Sequence, residues 1–173
     1  ADAAGAALIA LRERHRSGRG QHDDASAQAS LVEATQTFVL AAAYGAPPIR
    51  RVSGGTKLPP FTLRLIHPCL DGHVTTTFLF GPSIGPFSQR LMEWIWEEGG
   101  CDRRWPDKDW IQFAVHVEEG IEAIETFDEA NDIVSAFFAG KTKAELLEAA
   151  LSRRLLIAPL TTIADVSASP QLA

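Results

Sequence analysis

Small apolar residues open the chain at helical spacing: Ala3, Ala4, Ala7, Leu8 and Leu11 recur every three or four positions along one face. Ser17-Gly18 ends that helix, because glycine accepts the left-handed backbone that satisfies the last carbonyls. Arg14 and Arg16 lie in the final turn, where the helix dipole favours cations. A second helix is predicted from about Ser26 or Ser30 to Tyr44. Ser30 and Glu33 have the spacing of a capping box, and Leu31, Ala34, Phe38, Ala41 and Ala42 form its apolar stripe. Gly45 stops it and Pro47-Pro48 forbid its resumption. Residues 46–60 are rich in Pro, Gly and Arg without periodicity, which predicts a long loop of the kind that is often functional or mobile.

The pattern then switches to strands. Phe61 to Pro68 and His73 to Phe80 read as a hairpin joined through Asp71-Gly72, the type I′ pair. That turn sets residue 67 opposite 76, 65 opposite 78 and 63 opposite 80, so that Leu63, Leu65, Phe78 and Phe80 share one face. Pro86 suits the first position of a helix reaching Glu98, with Phe87, Leu91, Trp94 and Ile95 on its buried side and Gly99-Gly100 as the stop. Cys101 to Trp110 is irregular. Further helices are predicted at Asp109 to Val117 and at Asp128 to Phe138, the latter ending at Gly140. Thr142 and Glu145 form a capping box before Leu146, Leu147, Ala150 and Leu151. Leu155 to Leu160 reads as a short strand, and Thr162 caps a small helix ending before Pro170. No internal repeat is visible, and the pattern defines an α+β chain.

Composition narrows the function classes. With 173 residues, 46% of them apolar, the chain can bury a real core. A net charge of −6 argues against a general nucleic-acid binder, although basic clusters stand at Arg12 to Arg19 and Arg50-Arg51. No apolar run is long enough to span a membrane and no signal-peptide pattern is present, so a cytoplasmic setting is the default. The isolated Cys69 and Cys101 fit a reducing compartment rather than a disulfide framework. The chain starts without Met inside a helical pattern, as expected of a fragment of a longer protein.

Candidate chemistry is sparse. His15, His22, His67, His73 and His116 never reach zinc-ligand spacing with one another or with the cysteines, so no metal site is expected. Asp23-Asp24 offers paired carboxylates in a polar link, where such acids are usually solvated or capping. Ser53-Gly54-Gly55-Thr56 resembles a phosphate cradle only loosely, since it lacks the ending and the strand-to-helix context of a P-loop. Trp94, Trp96, Trp105 and Trp110 read as core or domain-contact residues rather than a base-stacking platform. No complete catalytic set emerges from the residues alone.

Several stretches together resemble the class III CoA-transferases, the family of formyl-CoA transferase and carnitine CoA-transferase that includes α-methylacyl-CoA racemase. The family's small-residue helix ending in Arg-x-(Arg/Lys)-(Ser/Thr)-Gly-x-Gly-Gln, followed by Asp and a capping Ser, is matched by Arg14, Arg16, Ser17, Gly18, Gly20, Gln21, Asp24 and Ser26. Asp71-Gly72-His73-Val74 is similar to the Asp-Gly hairpin of its small domain. Ile157-Ala158-Pro159-Leu160, Thr162-Ile163, Asp165-Val166 and Pro170-Gln171-Leu172 resemble the segment that returns to its large domain. Cys101 to Phe127 carries little signature, and Ala29 stands where the family commonly has an acid.

The resemblance implies transfer of coenzyme A from an acyl-CoA to a carboxylic acid through a covalent aspartyl intermediate, with coenzyme A as substrate and no tightly bound cofactor. It implies residues 1–60 as a helical and glycine-containing part of a large domain, 61–154 as a small α+β domain with a hairpin-based antiparallel sheet packed by helices, and 155–173 as the returning segment. It implies an interlocked homodimer, without nucleic acid or membrane. Gly54 and Gly55 correspond to the family's glycine loop, which covers the substrate and excludes water from the anhydride. The nucleophilic aspartate precedes the motif's Gln by about 25 residues in the family, which points about five residues before Ala1 and leaves no catalytic residue in this chain. Asp2 lies 19 residues before Gln21 and replaces it only if a deletion has shortened the chain. The same family implies two alternatives, an acyl-CoA racemase or epimerase and a non-catalytic subunit or interaction module.

Overall fold

A computed structural model describes residues 1–46, 50–58, 60–167 and 169. Pro47, Pro48, Pro170, Gln171 and Leu172 lie outside the described residues, as do the side chains of Ala34, Phe38 and Ala42. The chain divides into two compact units, Ala1–Ile49 and Arg50–Ala173.

The first unit is helical. Helix α1 (Asp2–Ser17) ends at Gly18, whose φ of 71° is left-handed and whose amide donates to the Arg14 carbonyl. Helix α2 (Ala27–Ala34) starts at Ser26, whose side chain accepts from the Ala29 amide. The Ser30–Glu33 capping box is thereby corrected: Ser30 already sits inside the helix and donates its hydroxyl to the Ser26 carbonyl. The predicted single helix is also divided. Thr35 leaves helical geometry and bonds back to the Leu31 carbonyl, and α3 (Gln36–Ala41) resumes before a 3-10 turn at Ala42–Tyr44. Leu8, Ile9, Leu31 and Tyr44 remain exposed.

The second unit holds two three-stranded antiparallel sheets. Strands β1 (Arg50–Val52), β2 (Gly55–Leu58) and β3 (Phe61–Arg64) form one, in that order. Within the long loop expected over residues 46–60, residues 50–58 are thus corrected to a hairpin closed by Ser53-Gly54, with Val52 opposite Gly55. Short strands of Arg, Lys and Thr carry no alternation that reveals them in advance. The chain changes sheets at Leu65. The Gly54 carbonyl accepts from both Leu65 N and Ile66 N, ending one ladder as the next begins.

Strands β4 (Ile66–Cys69) and β5 (Gly72–Thr76) pair next, and β6 (Ile157–Pro159) adds to β5 from the far end of the chain. Here the turn is Leu70-Asp71, which places His67 opposite Val74 and Leu65 beside Thr76, not His67 opposite Thr76 as the Asp71-Gly72 turn requires. The reason is a distant contact. Leu70 N donates to the Lys141 carbonyl and the Asp71 carboxylate accepts from Lys143 N at 2.7 Å, so Asp71 caps a helix. Leu63 and Phe80 accordingly do not face each other in one hairpin. Residues 77–80 leave the sheet, and Ser88 pins them by bonding both the amide and the carbonyl of Leu79.

Three longer helices and two short ones complete the second unit. Helix α4 (Gly85–Glu97) carries Pro86 in its first turn and buries Leu91, Met92, Trp94 and Ile95. Helix α5 (Phe113–Glu118) starts later than Asp109, whose carboxylate is held by Ile111 N and Gln112 N. Helix α6 (Glu125–Ala139) lies against β3 and β4, and α7 (Lys143–Arg153) begins with the predicted Thr142–Glu145 box. Helix α8 (Ile163–Ser167) is capped by Thr162, with Asp165 closing a reciprocal box. Phe127 sits among Phe61, Phe78 and Phe80 at ring distances of 5.1 to 5.8 Å. Trp94, Trp105 and Trp110 are buried with it, as core residues should be, whereas Trp96 is 38% exposed beneath the Arg103 guanidinium. The architecture is α+β. Among the described residues no helix is long and apolar enough to cross a membrane.

Candidate functional site

The motif from Arg14 to Gln21 is an exposed helix end. Ser17 donates its hydroxyl to the Glu13 carbonyl and accepts from Arg19 N, while Arg16 pairs with Glu13 at 3.1 Å. Beyond Gly18 the chain runs without regular structure to Ser26, with Asp23 and Asp24 exposed. Glycine at 18 has a backbone reason; nothing approaches the place of a Gly20 side chain. Beside the motif, Ser26, Gln28, Ala29, Val32, Glu33 and Gln36 line an open concavity of about 520 Å³ on α2. Asp2 lies exposed in the first turn of α1, where a carboxylate complements the dipole.

Gly54 and Gly55 stand at and after the turn of the first hairpin. Gly54 has a φ of +73°, and a side chain there would meet Ile66 Cβ at 3.0 Å. A Cβ on Gly55 would come within 2.1 Å of the Leu63 carbonyl oxygen. Both glycines therefore have a structural reason within the sheet, and Ser53 is the exposed tip.

Charged groups gather at the start of α7. The Lys143 ammonium pairs with Asp165 at 2.8 Å, Asp71 caps the helix, and the Cys69 thiol lies 3.5 Å from Asp71. The Lys143 hydrogen bond, with the Thr162 amide and hydroxyl, lowers Asp165 to about 2. Burial raises the Cys69 thiol, so it is a poor nucleophile. These groups tie the turn after β4 to the starts of α7 and α8.

His67 is enclosed between the second sheet and α6. Its Nδ1 lies 2.8 Å from Ser135 Oγ, and Ser135 donates its own hydrogen to the Asn131 carbonyl. The imidazole must then donate from Nδ1 and hold Nε2 unprotonated, and Nε2 has no partner. Burial and the neighbouring Arg64 push its pKa down to about 4. Neutral His67 is a core residue. Among the described residues no cluster of three His, Cys, Asp or Glu converges to hold a metal.

Among the described residues, Asp2, Asp23 and Asp24 make no ion pair or side-chain hydrogen bond, and Asp71 is engaged by Lys143 N and the Cys69 thiol. What sequence reading missed is the sheet that carries Gly54 and Gly55, with Arg50 directly opposite Lys57. The early mark was a stretch without acids from Glu33 to Asp71.

With this geometry in place, the comparisons define the class. The profile of CoA-transferase family III matches residues 2–173, and the chain belongs to that family. It is 30% identical over 178 residues to the succinyl-CoA:(R)-benzylsuccinate CoA-transferase subunit BbsE of Thauera aromatica, a match covering 99% of this chain and 39% of that protein. A CAIB/BAIF family protein from Brucella suis aligns with 96% of this chain and 40% of its own, at 21% identity and a TM-score of 0.45. The chain thus spans about two fifths of the length of the relatives it matches.

Proposed function

We propose that the chain is part of an enzyme that moves coenzyme A from an acyl-CoA thioester to a free carboxylic acid. The observation that carries this reading is the family match over residues 2–173, with the Arg14 to Gln21 motif intact at the end of α1. An aspartate carboxylate of the whole protein, about five residues before Ala1, attacks the thioester carbonyl and expels the CoA thiolate, giving a mixed anhydride. The thiolate returns to the aspartyl carbonyl and releases the donor acid. The acceptor carboxylate then attacks the aspartyl thioester, and the thiolate closes the cycle on the new acyl group. Each anhydride is hydrolysable, so the site needs a cover, and the Ser53-Gly54 hairpin with Gly55 is the part of this chain that supplies it.

The hairpin closes as a rigid element, since the Gly54 carbonyl already holds two amides. The donor's acyl group and the acceptor acid are of the kind that the Thauera relative's name carries, a succinyl thioester and a free benzylsuccinate. The assembly is an interlocked dimer in the cytoplasm, and no tightly bound cofactor takes part. That relative is named as a subunit, which favours a second reading in which this chain belongs to a non-catalytic partner of an active subunit.

Deuterated water separates transfer from racemisation. The whole protein, incubated with an acyl-CoA and no acceptor acid, is expected to leave the α-carbon unlabelled, and to form a new thioester once an acid is added. Deuterium at the α-carbon without an acceptor marks a racemase instead.

A further inference from the structure

The first sheet carries a charge arrangement that its own folding disfavours. Arg50 and Lys57 are directly opposite on β1 and β2, and Thr62 is opposite Lys57 on β3, so the three side chains share one face. Opposed residues hold their Cβ atoms about 4.5–5.5 Å apart, and like charges placed so repel. Among the described residues no carboxylate lies within 4.0 Å of either cation; Asp128 accepts from Thr62 N, and Asp132 is engaged by Arg64. No acid occurs in the sequence between Glu33 and Asp71, in a chain whose net charge is −6. Arg50 and Lys57 are both exposed, and each stands three residues from the Ser53-Gly54 turn.

We infer that Arg50 and Lys57, with the Thr62 hydroxyl beside them, form a binding site for an anionic group of the acyl-CoA substrate. The inference rests on the cover role proposed for this hairpin. A guanidinium offers a planar fork and an ammonium a point charge, and two of them a fixed distance apart suit a phosphate or a carboxylate oxygen pair. Binding the anion removes the repulsion across the hairpin, so substrate draws the cover closed by its own charge. Two groups of an acyl-CoA offer this chemistry: the phosphates of the coenzyme, and a second carboxylate on the acyl chain.

The test uses the whole protein with R50Q, K57Q and K57R, assayed with succinyl-CoA, its 3′-dephospho analogue and butyryl-CoA. R50Q and K57Q remove a repulsion, so unfolding temperatures are expected to hold or rise. KM is expected to rise about tenfold in both with kcat largely kept, and K57R is expected to stay near the parent. An increase that disappears with the dephospho analogue identifies the 3′-phosphate. One confined to succinyl-CoA identifies the acyl carboxylate, and one common to all three thioesters identifies the diphosphate. An unchanged KM with every thioester overturns the inference. A fluorophore on Ser53→Cys then separates the two failures: a substrate-dependent change in emission leaves the cover standing without the anion site, and a silent probe removes both.

Discussion

Gly55→Ala is expected to unfold the first sheet and to destabilise the second unit by about 3 kcal/mol, at the upper end of what forcing an atom into a packed site costs. The added Cβ would meet the Leu63 carbonyl oxygen at 2.1 Å, and the carbon of that carbonyl at 3.1 Å. A backbone carbonyl cannot swing aside like a side-chain end. Moving it breaks the register of Gly55 with Arg64 and Thr56 with Leu63, and with it the double acceptor at Gly54 that hands the chain to the next sheet. Urea unfolding followed by tryptophan fluorescence reads this directly, because all four tryptophans lie in the second unit. Unfolding at the parent's urea concentration would show that the close approach does not exist.

The second large effect is a dependence on pH. His67 titrates at about 4 in the folded chain against 6.5 when unfolded, because burial and Arg64 oppose its charge and its Nε2 has no acceptor. The unfolded state therefore binds the proton first. Stability contributed by neutral His67 is complete above pH 6.5, falls as the pH drops through that value, and is lost by about 4. Its full size is about 3 kcal/mol at the usual conversion of pKa into free energy. The contribution of the Lys143–Asp165 ion pair is lost at lower pH, as Asp165 protonates between 3.8 and about 2, so its window follows that of His67. His67→Gln is expected to flatten the slope between pH 4 and 6.5 while weakening the contact to Ser135. An unchanged slope in that variant would assign the dependence to another group.

These two sites show what the sequence made legible. Helix ends depend on a few neighbours, and Gly18, Pro86, Thr142 with Glu145, and Thr162 all perform as their residue types require. The hairpin register depended on a residue 72 positions away. Asp71 has the composition of a turn centre, yet capping α7 through Lys143 N shifts the turn back by one residue. Likewise, Gly55 is needed because of Leu63 on the neighbouring strand, which no local pattern announces. A choice between two serines was decided by one hydrogen bond, from Ala29 N to Ser26.

The candidate site was legible in a different way. The family could be read from Arg14 to Gln21 because that motif combines a helix stop with an unusual run of glycine and arginine, and the profile match over residues 2–173 agrees. The arrangement of Arg50 against Lys57 could not be read, since it needs the strand pairing to bring two separate cations together. On the proposed mechanism the nucleophile lies about five residues before Ala1, upstream of the Arg14 to Gln21 motif.

Trapping with hydroxylamine tests that claim. Hydroxylamine converts an aspartyl anhydride or thioester into a hydroxamate, and peptide mass mapping locates it. With the whole protein turning over an acyl-CoA, one hydroxamate is expected, on an aspartate about five residues before Ala1, with Asp2 unmodified. A hydroxamate on Asp2, Asp23, Asp24 or Asp71, or none on any aspartate during measured transfer, would contradict it.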